Sequence, residues 1–261
     1  MSDTGTKAPR SRLAKVGPPI VGAVVAIGIW WGSVVVFNVR SFFLPSPPEI
    51  VQRFFEQPEY LLQEAGRTLT ETASGYGIAV VTALLLAILL AASPTIERAT
   101  LPLLITLNSI PKVAIAPLLV LWLGFGPQPK IFLAALICFF PLVVAAMSGL
   151  ASTPADLGEL ARSLSASWAQ TYLKVRLPWA LPQIFVGLKV AISMAPIGAV
   201  VAEVYNPDHG LGAVIALSTA SADTALAFAA IVLLAILSVG LYYIVVGIER
   251  LLLPWAKAIS A

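Results

Sequence analysis

An all-α protein embedded in a membrane and crossing it six times is the fold class this sequence predicts. Three observations carry that prediction. The first is composition: of 261 residues, 59% are hydrophobic and 11% charged, with a mean hydropathy of +0.92, whereas a soluble domain carries about 25% charged residues. The second is run length. Uncharged runs of roughly 24 or 25 residues lie between Lys15 and Arg40, Glu71 and Glu97, Lys130 and Asp156, and Asp223 and Glu249, and about 20 apolar residues suffice to cross a bilayer. The third is pattern: no alternating barrel signal runs through these segments, and backbone groups in lipid must bond within their own segment, so they are helices. No soluble core hides apolar runs of this length.

The elements follow in chain order. Residues 1–15 form a cytoplasmic tail whose Lys7, Arg10, Arg12 and Lys15 precede a first anchor at 16–39. This start mimics a secretion signal, but its apolar run exceeds the roughly 7–15 residues of a cleavable one and no small-residue cleavage site follows. Residues 40–70 are external: LPSPPEIVQRFFEQPEYLLQEAGRTL (44–69) begins as a proline-broken turn and continues as a short amphipathic helix or two. A core at 71–255 holds the remaining five spans. Two of these each carry one lysine: 99–123 with Lys112, and 179–202 with Lys189. GFGPQPK (124–130) and NPDHGLG (206–212) are external connections, and 256–261 is a cytoplasmic tail. A cytoplasmic N-terminus places about ten Lys and Arg inside and about four outside, as the positive-inside rule requires. The net charge of +3 therefore reads as an orientation signal rather than a nucleic-acid footprint. Cys138, the single cysteine, sits in an apolar run and reads as packing.

One segment resists this description. TPADLGELARSLSASWAQTYLKVRLP (153–178) carries five charged residues between two greasy spans. Thr153, Pro154 and Asp156 make a good helix start: a hydroxyl cap, a first-turn proline and an acid at the positive end of the dipole. Leu157, Leu160, Ala161, Leu164, Trp168, Tyr172 and Val175 recur every three or four residues as one apolar stripe. Periodicity alone leaves two readings: a helix lying on the inner membrane surface, or one docked into a groove of a cytoplasmic partner.

Glu159-Leu160-Ala161, then Ser165, then Val175-x-Leu177-Pro178 resembles the EAA signature of bacterial ABC importer permeases, with matching spacing throughout. IPKVAIAPLLVLWLGFG (110–126), FFPLVVAAMSGL (139–150), LPWALPQIFVGLKVAIS (177–193) and GLGAVI (210–215) extend the resemblance over about residues 40–255, within the branch that handles nitrate, sulfonates, taurine, thiamine precursors and riboflavin. It implies a MetI-like permease fold with a cytoplasmic coupling helix at about 154–175, between spans 4 and 5. Glu159, Leu160, Ala161, Arg162, Ser163 and Ser165 would meet an ATP-hydrolysing subunit there. Leu160 replaces the usual alanine. Ser165 replaces the glycine that lets the chain turn, so this turn either uses a conformation open to serine or is straighter than in relatives.

The same resemblance implies two ABC ATPase subunits that bind ATP and Mg, a second permease copy forming a homodimer, and an external substrate-binding protein. This chain itself has no G-x-x-x-x-G-K-[ST] loop to cradle phosphates, no triad partner for its lone His209 and no Cys/His cluster. It reads as a non-catalytic membrane subunit with no cofactor or metal of its own. Charges inside spans default to functional hypotheses. Lys112 follows Arg98 by about 14 residues, roughly 21 Å along an ideal helix. It either lines the translocation path with Asn108 and Ser109 or makes a structural contact to a carbonyl or carboxylate. Ser193, Met194 and Pro196 form a kinked middle of span 5, a place for a gate or for ordinary packing. Lys189 reads as snorkelling inward. Glu203 and Asp208 read as a helix-end contact or as part of the external docking surface.

A secondary transporter or channel without an ATPase is the alternative, but the two halves show no self-similarity. For substrate, APIGAVVAEVYNPDHGLG (195–212) and LYYIVVGIERLLLPW (241–255) are more similar to thiamine-precursor and riboflavin permeases than to sulfonate ones. Lys112 fits an anion such as sulfonate or nitrate about as well.

Overall fold

The computed structural model describes residues 12–91 and 94–255, which form helices and the turns between them. Residues 1–11 of the tail expected at 1–15, and the whole tail expected at 256–261, lie outside the described residues. Helix α1 covers Arg12–Val36, α2 Pro47–Glu56, α3 Pro58–Ala91, α4 Pro94–Asn108, α5 Ala116–Leu123 and α6 Pro127–Ala151. Then come α7 (Ala155–Ser163), α8 (Trp168–Thr171), α9 (Leu177–Tyr205), α10 (Leu211–Ala220) and α11 (Thr224–Leu252). A 3-10 turn at Lys112–Ile115 leads into α5, and a π turn at Tyr172–Arg176 joins α8 to α9.

Among the described residues, four helices are long and apolar enough to cross a membrane: α3, α6, α8 continued through α9, and α11. These answer to the second, fourth, fifth and sixth expected spans. The third expected span is a bent pair. Its first part ends at Asn108, and its second starts at Lys112 more than 40° off that axis. Pro111 explains the break. Proline disfavours helical geometry in the residue before it, and it offers no N–H to the turn behind. The continuous-helix distance from Arg98 to Lys112 therefore does not apply. The first expected span falls within the 25-residue α1, which is apolar over Val21–Val36.

Helix α3 crosses an expected boundary. It runs unbroken from Pro58, although the sequence divides at 70/71 by polarity. Glu64, Thr68 and Glu71 are buried, so one polar face of the first third of this helix is turned into the protein, while Glu59, Gln63 and Arg67 on the other side stay exposed.

The bundle core is α3, α6 and α9, packed through small side chains. Ala83 and Ala87 of α3, Ala134 and Ala146 of α6, and Ala180, Ala191, Ala195 and Ala199 of α9 are fully buried. Without a hydrophobic drive between helices in lipid, close backbone approach supplies the attraction, and small residues permit it. Gly198 shows how close: a Cβ there would lie 2.5 Å from Ala134 Cα. Helix α11 covers one side of the core with α10 against it, and α1 is peripheral, with Trp30 against Phe228 of α11. The core thus has two distinct ends, one with α7 and α8 and the other with the 206–210 loop.

Candidate functional site

At the first end, α7 stops with a defined chemistry. Ser165 takes φ +55°, and the Ala166 N–H donates to Ala161 O at 3.0 Å. This is the six-to-one bond of a Schellman cap, with Ser165 at the left-handed position that glycine usually fills. Two residues after Ser165, Ser167 and Gln170 form a capping box. The Ser167 N–H donates to Gln170 Oε1 at 2.9 Å, and the Gln170 N–H to Ser167 Oγ at 3.3 Å. The expected single helix at 154–175 is therefore two helices with a sharp turn, because both cap signals lie inside one apolar period. Of the two alternatives left open for Ser165, the turn is kept.

The break splits the apolar stripe. Ala161 and Tyr172 are buried, while Leu160 and Leu164 are 57% and 74% exposed. Glu159, Ser163 and Ser165 are exposed as well, and Ser163 Oγ–H donates back to Glu159 O at 2.8 Å. The backbone of Arg162 belongs to α7, and its side chain lies outside the described residues. Between α7 and the π turn opens a concavity of about 320 Å³ lined by Leu157, Leu160, Leu164, Gln170 and Lys174. The base is firm. Trp179 Nε1–H donates to Ser152 O at 3.2 Å, tying the start of α9 to the end of α6. This end therefore presents apolar and carboxylate groups on a stiff, capped mount.

Midway along the bundle lies a second feature. Lys112 Nζ donates to Asn108 Oδ1 at 2.6 Å, across the break that Pro111 makes. The pair faces a cavity of about 190 Å³ whose other walls include Leu107, Ile115, Phe139 and Phe140. Of the remaining expected path residues, Met194 packs in the apolar cluster that holds Ile115 and Leu136. Ser109 is exposed and donates to Ile105 O. Ser193 is exposed too, donating to Lys189 O at 2.9 Å. Pro196 is buried in the helix packing, so its ring lines no open surface. The structure brings together Asn108, Lys112 and the Met194 cluster, and leaves Ser193 and Pro196 apart from that cavity. Lys189 has a partner in the chain: Nζ is 2.9 Å from both carboxylate oxygens of Glu249 on α11.

The other end holds a buried polar network that sequence reading missed. Helix α10 begins inside the protein, so its free N–H groups need acceptors. Gly210 N–H donates to Glu64, Leu211 N–H to Thr68 Oγ1 at 2.8 Å, and Gly212 N–H to Glu203 at 2.6 Å. Thr68 in turn donates to Glu203 at 2.7 Å. Carboxylates at the positive end of the α10 dipole are favourably placed. Gly210 has φ +100°, and a Cβ there would strike the Glu203 carboxylate. Beside this cap, the fully buried Lys130 pairs with Asp208 and donates to His209 O at 2.9 Å. The His209 ring nitrogens face Glu71 at 3.0 Å and Asp208 at 2.9 Å. Among the described residues, no set of three such side chains is arranged to hold a metal ion. Burial pushes the Asp208 carboxyl up, but the hydrogen bond and charge of Lys130 outweigh it and hold its pKa below the ordinary aspartate value.

The network accounts for one site residue. Glu203 is fully buried, because its carboxylate closes the α10 cap, and it offers nothing to an outside partner. Asp208 remains partly exposed. A signal existed: Glu64, Thr68 and Glu71 recur at helical spacing, one polar face ahead of an apolar run. Lys130 gave none, since a lysine beside a turn reads as solvated.

A bundle of membrane-length helices with a rigid exposed helix pair at one end and a lysine-lined cavity at mid-depth defines a membrane permease. The family of binding-protein-dependent transport system inner membrane components matches residues 63–257, and the chain belongs to that family, as an ABC importer permease. A "Probable ABC transporter permease protein" of Haemophilus influenzae is 38% identical over 86% of this chain and 92% of its own length. The "Formylaminopyrimidine transport permease protein ThiX" of Halalkalibacterium halodurans is 33% identical over 84% of this chain and 88% of its own. The fold is that of a chain from the inward-facing MetNI methionine ABC transporter: TM-score 0.64 at 20% identity, covering 74% of this chain and 97% of that one.

Proposed function

We propose that this chain forms, as one of two identical copies, the translocation pathway of an ATP-driven importer for a small organic solute. Six spans with both termini in the cytoplasm complete the topology, α1 and the bent α4–α5 pair being the first and third. Two ATPase subunits, which bind ATP and Mg, dock on the α7–α8 turn. An external binding protein delivers solute at the end that carries Asp208. Thiamine-precursor-like or riboflavin-like solutes are favoured over sulfonate or nitrate. The name of the Halalkalibacterium relative supports that order.

The observation that carries the reading is the α7–α8 turn. A segment built only to lie in lipid would keep its leucines on one unbroken stripe apart from its charged groups. Here the stripe is broken by two caps, and the exposed leucines flank an exposed carboxylate, Glu159. That surface suits a groove in another polypeptide. Closure of the ATPase pair would move a unit whose ends are fixed to α6 and α9, and so tilt the core helices.

The test is uptake in proteoliposomes with the companion ATPase and binding protein. Glu159→Ala should reduce ATP-driven uptake by about tenfold, as expected when a charged hydrogen bond across an interface is lost. Scrambling 156–166 should abolish it, with membrane insertion unchanged. Undiminished uptake in either variant, or uptake without the ATPase, would refute the proposal.

A further inference from the structure

Helix α11 is held to the core unevenly along its length. At its outer end Leu226, Ala227, Ala229 and Ala230 are buried. Among the described residues from Ile231 to Leu252, Val245 alone is buried, followed by Leu253 at the helix end. Apolar contacts of this kind do not fix a helix in a bilayer, because acyl chains offer an aliphatic face the same attraction. Close approach through small residues does hold helices together. Gly240 and Gly247 of α11 make no such approach, since nothing lies within 4 Å of where a Cβ would stand on either.

What fixes the cytoplasmic half of α11 is polar. Lys189 Nζ on α9 donates to both carboxylate oxygens of Glu249 at 2.9 Å, and the two side chains are 22% and 25% exposed. Among the described residues neither has a second ion-pair partner. Val245, Glu249 and Leu253 recur four apart and so share one face of α11, with the carboxylate between the two apolar contacts. Val245 and Leu253 join the same buried cluster as Ala191 and Ile192 of α9.

Helix α9 is also the helix that would receive the motion of the α7–α8 turn, because it continues from α8 through the π turn without a break. Lys189 lies about 18 Å along it from Leu177 and about 21 Å from Glu203, at 1.5 Å per residue. Glu203 is moored in the α10 cap. With that end as pivot, a displacement at Leu177 reaches Lys189 at roughly half its size, by the ratio of the two arms. Two responses are open to α11. If it stays behind, the pair parts and strands an ammonium and a carboxylate within the roughly 30 Å of hydrocarbon, where an unpaired charge is costly. If it follows, it exchanges one acyl contact for another, at little cost.

We infer, on the importer reading, that Lys189 and Glu249 are positioning residues whose ion pair makes the cytoplasmic end of α11 travel with α9 when the α7–α8 turn is pushed. The pair stays closed through the stroke, as a strut between the driven helix and its neighbour.

The test uses the permease–ATPase complex with its binding protein in proteoliposomes. Solute taken up per ATP hydrolysed is the first readout. The second is Leu253→Cys, a thiol one turn past Glu249 on the face now buried. Its labelling by a neutral methanethiosulfonate, with and without ATP, is read on the permease chain by mass, where Cys138 stays buried. With the pair intact, labelling should be slow in both conditions. Lys189→Glu should speed it severalfold during turnover and lower uptake per ATP about tenfold, within the usual range of a coupling between sites, while stimulated hydrolysis persists. Adding Glu249→Lys should restore both readouts, which a merely structural lesion would not allow. Should Lys189→Glu fail to assemble, Glu249→Gln, which drops the charge and keeps an acceptor, should show a smaller fall of the same kind. Faster labelling with ATP while the pair is intact would mean that the pair opens, and would overturn the inference. So would unchanged uptake per ATP in Lys189→Glu or Glu249→Gln, or a double reversal that restores nothing. If the unaltered complex shows stimulated hydrolysis and ATP-driven uptake, those outcomes remove this inference alone. If it shows neither, the importer reading falls with it.

Discussion

Ser165 holds a backbone conformation that places Cβ against its own carbonyl, at a cost of about 1–2 kcal/mol for an L-residue. Glycine there escapes this cost but loses more freedom on folding. Ser165→Gly should therefore stabilise the complex by up to about 1 kcal/mol and leave uptake intact, read as a small rise in its thermal midpoint. Ser165→Pro cannot reach φ +55° and should uncouple uptake from hydrolysis. Equal behaviour of the two variants would mean that the turn does not matter. The serine was visible in the sequence as a departure from a glycine position, but which of two geometries it adopts was not. Sequence spacing is the same for a straight helix and a turned one. Only the bond from Ala166 to Ala161 distinguishes them.

At the scale of elements, α2 shows how an amphipathic helix is moored. Arg53 pairs with Asp223, the N-cap of α11, and with Glu56 at 2.6 Å. Burial raises the Asp223 carboxyl, but Arg53 and the Leu226 N–H outweigh it, and its pKa lies below the ordinary aspartate value. A carboxylate with a lowered folded pKa contributes stability that is present above its unfolded pKa, near 4, and is lost as pH falls through the folded value. Asp208, held down by Lys130, has the same sign. The part of the thermal stability that Asp208 and Asp223 supply should be constant above pH 5 and be lost below about pH 4. Asp223→Asn should remove part of that loss and cost about 1 kcal/mol or less at neutral pH, since the pair is partly exposed. A loss centred above pH 5 would contradict the assignment. Helix α2 was foreseeable from its Ser-Pro-Pro start and alternating faces. Its ion pair was not, because 170 residues separate the partners.

The whole molecule has two unlike ends. One is sealed by carboxylates capping α10 and by the buried Lys130. The other carries the exposed α7–α8 turn. For the proposed orientation, the turn is cytoplasmic and α2 external. Single cysteines at Ser165 and Glu56 should then react with a membrane-impermeant maleimide from opposite sides of sealed vesicles, Glu56→Cys from outside in intact cells. Labelling of both from one side would reverse or discard the topology.

Hydropathy and the length of the uncharged runs determined the class of this protein, because the bilayer punishes unsatisfied backbone and buried charge regardless of tertiary detail. Those rules act on local runs of sequence, so α3, α6, α9 and α11 were legible without a structure. The spacing of Glu159, Ser165 and Pro178 resembles a family signature and so singled out the segment that holds them, though not its turn. Tertiary structure alone decided where the minority polar side chains go. Glu64, Thr68, Lys130 and Glu203 look like surface residues in sequence, and they are interior because α10 starts inside the bundle and its N–H groups have to be answered there. The same holds for Lys112, whose setting depends on the break at Pro111 and on Phe139 and Phe140 of a separate helix. Contacts between distant segments leave no local pattern, so their energetics enter only when the helices pack.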